Sequence, residues 1–172
     1  RGVPMDGDAI YNGAHDNASG VAIVLEVAHA YSTLPTRPRR SILFLFVTAE
    51  ERGLLGSDYF ARNPTVPRDG IVADLTLDMP FLFHPLLDIV PYGAQHSTLS
   101  TTVTRAAERL GIAIATDPIP EQVLFIRSDH FSFVRQGVHI LGRRALWRAR
   151  ACRKAPPRVV ERDQRYALLE QL

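Results

Sequence analysis

Between residues 17 and 34 the apolar side chains Val21, Val24, Leu25, Ala28 and Tyr31 return every three or four positions, and Pro35 closes the segment. That period predicts an amphipathic helix, begun through Asp16-Asn17-Ala18-Ser19-Gly20. Ser41 to Thr48 (SILFLFVT) is apolar on both faces and rich in β-formers, the pattern of a central strand buried between helix layers. Glu50 and Glu51 stand at its C-terminal end. A short helix is predicted over 54–62, strands over 71–79 and 87–92, and a helix over 98–110 ended by Gly111. Val123 to Ile126 is strand-like, 131–136 reads as a short helix ended by Gly137, and Val138 to Leu141 as a further strand.

Strands alternating with helices predict an α/β fold, three layers (α-β-α) around a mostly parallel mixed sheet. Ligands in such sheets bind beyond the C-terminal strand ends. The acidic residues gather there: Glu50 and Glu51 after one strand, Asp78 at the end of the next, and Asp16 in the loop that opens the first helix.

Composition narrows the picture. With 172 residues, 46% of them hydrophobic, the chain can build one core. No apolar run approaches the eighteen or so residues of a membrane span. The start, Arg1-Gly2-Val3-Pro4-Met5-Asp6, has neither an initiator Met nor an apolar leader and reads as that of a partial chain. The single cysteine, Cys152, excludes an intramolecular disulfide framework and a cysteine-based structural zinc site. Charge is uneven: Arg143 to Arg165 holds eight Arg and one Lys against Glu161 and Asp163, a local charge of +7 within a total of +2. This run has little aromatic interleaving and belongs to no nucleic-acid-reading module, so nucleic acid is not an expected partner. Residues 1–142 therefore read as the domain. Residues 143–172 read as an Arg-rich tail, divergent, disordered, or translated from a shifted GC-rich frame, with a weak helical signal over 166–172.

Two adjacent glutamates at the end of an apolar strand repel each other and lose hydration unless a cation compensates. With Asp16 and Asp78 from neighbouring strand ends, four carboxylates converge. A two-metal hydrolytic site needs such a set: a bridging carboxylate, further Asp, Glu or His ligands, and a free carboxylate as general base. Taken alone, Glu50 and Glu51 also fit acidic residues favouring a helix N-terminus. No Gly-x-Ser-x-Gly, Walker loop or His-Glu-x-x-His occurs, which argues against a serine hydrolase, a P-loop NTPase and a single-zinc protease of that type. Asn17-Ala18-Ser19 matches a glycosylation sequon, by coincidence given its place beside Asp16.

Gly7 to Ala22 (GDAIYNGAHDNASGVA), Phe46 to Gly56 (FVTAEERGLLG), Leu77-Asp78-Met79 and Arg127 to Val138 (RSDHFSFVRQGV) together resemble the co-catalytic di-zinc aminopeptidases. That family includes leucyl-type aminopeptidases, glutamate carboxypeptidases and glutaminyl cyclases, and the likeness runs in order over residues 7 to about 142. The resemblance implies a zinc-dependent exopeptidase that removes N-terminal residues from peptides, with two zinc ions. Asp16 would bridge the ions, Glu51 and Asp78 would each bind one, and Glu50 would be the general base. Asn17, Ser19 and Gly20 would shape the turn that presents Asp16. Asp129 and His130 would support the site from behind, with His130 a possible surrogate ligand. His15, beside Asp16, would line the cleft or stand in solvent. Secretion or periplasmic export is what the resemblance favours.

The chain also departs from the family. One histidine ligand is expected upstream of residue 1 and another after Val138, in an aromatic-His-Thr type segment; neither has a counterpart here. Three of five expected protein ligands are thus in this chain, so one or both zinc ions would be lost. The alternatives are a glutaminyl cyclase or carboxypeptidase relative, or a non-catalytic remnant of the same fold.

Overall fold

A computed structural model describes residues 7, 10, 12–80, 83–138 and 140–144. Helix α1 spans Ser19–Ser32, α2 Leu55–Arg62, α3 Leu99–Arg109 and α4 His130–Val134; the strands are β1 Asp74–Leu77, β2 Asp88–Tyr92, β3 Ala113–Ile114 and β4 Ile140–Arg144. They form one mixed sheet in the order β1-β4-β2-β3. β1 and β4 run parallel, with Leu77 opposite Arg143, β2 and β3 are parallel, and β2 meets β4 antiparallel. The α/β class expected from the alternating pattern is the class observed.

Strand β2 shows why the layers hold. Successive side chains point to opposite faces, so Ile89 packs with Val103 and Ala107 of α3, while Val90 and Tyr92 on the other face pack with Leu124. Helix α3 buries Val103, Ala106 and Ala107, one face of a 3.6-residue period, and stops before Gly111 at φ +66. A third cluster joins α2 to α4 through Ala61 and Phe133, with Leu45 against it.

Three expectations are corrected. The predicted central strand over 41–48 has no ladder among the described residues. Leu45 is packed, but Ile42, Leu43 and Phe46 are 40%, 51% and 51% exposed, so the two apolar faces lack the flanking strands that the pattern called for. Second, Val123 to Ile126 is not a strand. Leu124–Ile126 is a tight 3-10 turn entered at Val123 with φ 50, because Pro120 starts a turn immediately before it and a four-residue apolar run carries no period of its own. Third, the last strand, expected over 138–141, begins at Ile140 and its ladder runs to Arg144. His139 and residues 145–172, with Cys152, most of the Arg-rich run and the helical signal over 166–172, lie outside the described residues.

Candidate active site

Asp78 follows the last residue of β1, so its position is set by the end of a hydrogen-bonded ladder. It is buried, and its Oδ2 accepts a hydrogen bond from Ser128 Oγ at 2.7 Å. Across from it, Asp16 lies in the turn Ala14–Ala18 that leads into α1; the Asp16–Asn17 peptide bond is cis. The turn is tied down locally: Ala18 N–H donates to Gly13 C=O at 2.9 Å and Ser19 Oγ donates to His15 C=O at 2.6 Å. Gly20, the second residue of α1, sits where a Cβ would run into Leu77 O and the Asn17 side chain. Only glycine lets the helix approach the strand end this closely.

Glu50 and Glu51 occupy a 3-10 turn, Glu50–Arg52, bracketed by left-handed backbone at Ala49 (φ 59) and Leu54 (φ 60). Gly53 and Leu54 N–H both donate to Glu50 C=O at 2.9 Å, which holds the turn closed. Gly56 anchors the start of α2 on the preceding segment, donating to Thr48 C=O at 3.0 Å. Met79, next to Asp78, is also left-handed at φ 47. Among the described residues, two of the four non-glycine positions with positive φ, Ala49 and Met79, directly adjoin an acidic residue, and backbone strain commonly marks function.

The electrostatics join these pieces. Burial, and then the charges of Asp78, Asp129, Glu51 and Asp16 in that order, raise the Glu50 carboxyl from 4.5 to about 7. Asp129 is also raised, chiefly by burial, against hydrogen bonding from Ser57; its Oδ1 is buried without a hydrogen-bond partner. Behind it, Ser57 and Ser132 are buried and paired Oγ to Oγ at 2.9 Å.

His130 is 3% exposed, and its Nε2 lies 2.6 Å from Phe125 C=O. A carbonyl only accepts, so Nε2 carries the proton. Burial lowers the His130 pKa, favouring the neutral ring, whose Nδ1 has no hydrogen-bond partner. The His15 ring lies 6.3 Å from that of Phe83.

The structure thus places Asp16, Glu51, Asp78 and Asp129 within the electrostatic reach of Glu50. Among the described residues, however, no three His, Cys, Asp or Glu side chains are arranged to hold a metal ion. Donor type and charge suit a divalent cation; the ligand geometry does not close, so the residues described do not by themselves fit the ion. Sequence reasoning missed Ser128 and the Ser57–Ser132 pair. Ser128 was within the quoted Arg127 to Val138 segment, whereas the serine pair joins positions 75 apart and has no local signal.

Residues 3–160 match the profile of peptidase family M28. The chain belongs to that family. It is similar to leupeptin-inactivating enzyme 1 of Streptomyces exfoliatus, 40% identical over 138 residues covering 78% of this chain and 30% of the relative. A probable zinc metalloprotease of Pyricularia oryzae is 41% identical over 71 residues, covering 40% and 14%. In structure it resembles the aminopeptidase from Aneurinibacillus sp. strain AM-1, with a TM-score of 0.61 and 28% identity over 77% of this chain and 31% of the other. The chain therefore spans less than a third of the length of these M28 relatives. The resemblance read from the Asp-Asn-x-Ser-Gly, Glu-Glu and Leu-Asp-Met segments agrees with this family and with relatives named for zinc.

Proposed function

We propose that this M28 chain is part of a zinc-dependent exopeptidase of aminopeptidase type, acting on the N-termini of peptides. The observation that carries the reading is Glu50 among four other carboxylates, with its own carboxyl at about 7. A general base works best with a pKa near the operating pH. Asp16, Glu51 and Asp78 are the residues of this chain that would be offered to zinc, together with ligands from outside the described residues; the ion would supply Lewis-acid polarisation of a peptide carbonyl and a more acidic water. Glu50 takes a proton from the attacking water at its carboxylate and delivers it to the leaving amine nitrogen. Ser128 holds Asp78 in one orientation meanwhile.

The unclosed ligand geometry favours a second reading, in which this chain alone is a non-catalytic piece of the same fold. The test is zinc bound per chain after dialysis against metal-free buffer and equilibration with excess zinc. The exopeptidase reading expects stoichiometric uptake that is lost in Asp78→Ala and kept in Glu50→Gln, while Glu50→Gln abolishes any hydrolysis of an aminoacyl anilide. No uptake by the unmodified chain would leave the second reading.

A further inference from the structure

Asn17 makes three hydrogen bonds across 60 or more residues or into the adjoining helix. Its Nδ2 donates to Leu77 C=O at 2.9 Å. Its Oδ1 accepts from Met79 N–H at 3.1 Å and from Gly20 N–H at 3.1 Å. Leu77 and Met79 are the two residues flanking Asp78, and Asn17 itself follows Asp16. One side chain thus grips the backbone on both sides of one acidic residue while its own backbone carries the other.

The same amide also stabilises the start of α1. An Asn oxygen that accepts from the amide three residues on acts as an N-terminal cap and meets one of the unpaired donors of the first helical turn. Gly20 is bare at that point, and its neighbours are Leu77 O and the Asn17 amide, so helix, turn and strand end meet with no space between them. No other residue type offers one donor and one two-lone-pair acceptor at this reach: Asp lacks the donor, and Ser and Thr are too short.

We infer that Asn17 is a positioning residue that locks the Asp16 turn to the strand end bearing Asp78 and so fixes the spacing of these two carboxylates. Its meaning for catalysis rests on the exopeptidase reading; the lock itself does not.

Residue-resolved amide exchange on the 172-residue chain tests it. In Asn17→Ala, exchange at Gly20 and Met79 should quicken about fivefold, roughly the worth of one net hydrogen bond, with amides in the middle of α1 unchanged relative to global stability. Asn17→Asp keeps both acceptor bonds and should restore protection at these two amides. Unchanged exchange at Gly20 and Met79 in Asn17→Ala, a uniform rise along α1 and β1, or no rescue by Asp would overturn the lock. If the alanine variant does not fold, Asn17→Asp decides alone: both amides protected supports the lock, both exposed overturns it. Zinc titration of the same variants separates the two claims. Positioning expects at least about tenfold weaker zinc binding in Asn17→Ala, partly restored by Asp; equal affinity with both amides exposed would refute positioning. Absence of zinc binding by the unmodified chain would count against the exopeptidase reading and leave exchange to judge the lock.

Discussion

Asp74 opens β1 opposite Ile140, on the same face of the strand as Thr76. Burial strips water from its carboxyl and is the main reason its pKa rises from 3.8 to about 7; the hydrogen bond from Thr76 Oγ1, 3.1 Å from Oδ2, pulls it down only in part, and Asp129 pushes it further up. The sign is opposite to that of a salt-bridged aspartate. Below about pH 4 folded and unfolded chains both hold the proton. Between about 4 and 7 the unfolded chain loses it and the folded chain keeps it, so stability falls as pH rises, and it levels off above 7. Roughly three pKa units set an upper limit of ~4 kcal/mol; relaxation and the partial exposure of the residue reduce this to ~2 kcal/mol. Asp74→Asn preserves volume and an acceptor for Thr76 but cannot ionise. Urea unfolding followed by far-UV circular dichroism should show wild type and variant equally stable near pH 4 and the variant about 2 kcal/mol more stable at about pH 8, with the same m-value. Parallel stability curves for the two chains would refute the assignment of the buried proton to Asp74.

Gly56→Ala should destabilise by about 2 kcal/mol in the same assay, since a Cβ there meets Thr48 O, Thr48 N at 2.7 Å and Val47 Cβ at 3.2 Å, and backbone does not yield; an unchanged urea midpoint would disprove the close approach of α2. Ser57→Ala should cost about 1–2 kcal/mol by removing the Ser132 partner and the bond to Leu54 C=O, Ser132→Ala less because Ser57 Oγ still donates to Leu54 C=O at 3.1 Å, and the double variant less than their sum. A double-mutant cycle with no coupling would show that the pair does not interact. Glu50→Gln should likewise flatten the loss of stability between about pH 5 and 7, by less than Asp74→Asn because Glu50 is more open to water; a steeper pH dependence in the variant would contradict the raised Glu50 pKa.

Helices α1 and α3 were legible because their apolar residues follow a 3.6-residue period and a breaker, Pro35 or Gly111, ends each. Strands β1 and β2 were legible from their β-forming runs, though β1 is shorter than expected. The run Ser41 to Thr48 misled for a physical reason: its composition reports burial on two faces, and burial is supplied by neighbours that composition cannot count. Acidic residues at strand ends were visible because like charges in an apolar setting are costly and stand out. The positions of Ser57, Ser128 and Ser132 were not, since a small hydroxyl in a helix or turn has no periodic signature and its partner is remote in sequence.

Strain and repulsion at the site share one location, and so do the contacts that offset them. Left-handed backbone at Ala49, Leu54 and Met79 costs roughly 1–2 kcal/mol each, and burial first, then the like charges of the surrounding carboxylates, raises the Glu50 pKa. Against this stand the one hydrogen bond that Asn17 donates and the two it accepts, the one from Ser128 to Asp78 and the closed turn at Glu50, each worth about 1 kcal/mol net. These contacts are of the same order as the strain and leave the repulsion uncompensated. A divalent cation would offset that remaining term, because it would set a positive charge among the carboxylates that now oppose ionisation of Glu50. The local energetics therefore argue that this carboxylate cluster serves binding of a cation, since packing of the fold would be better served by neutral side chains at the same strand ends.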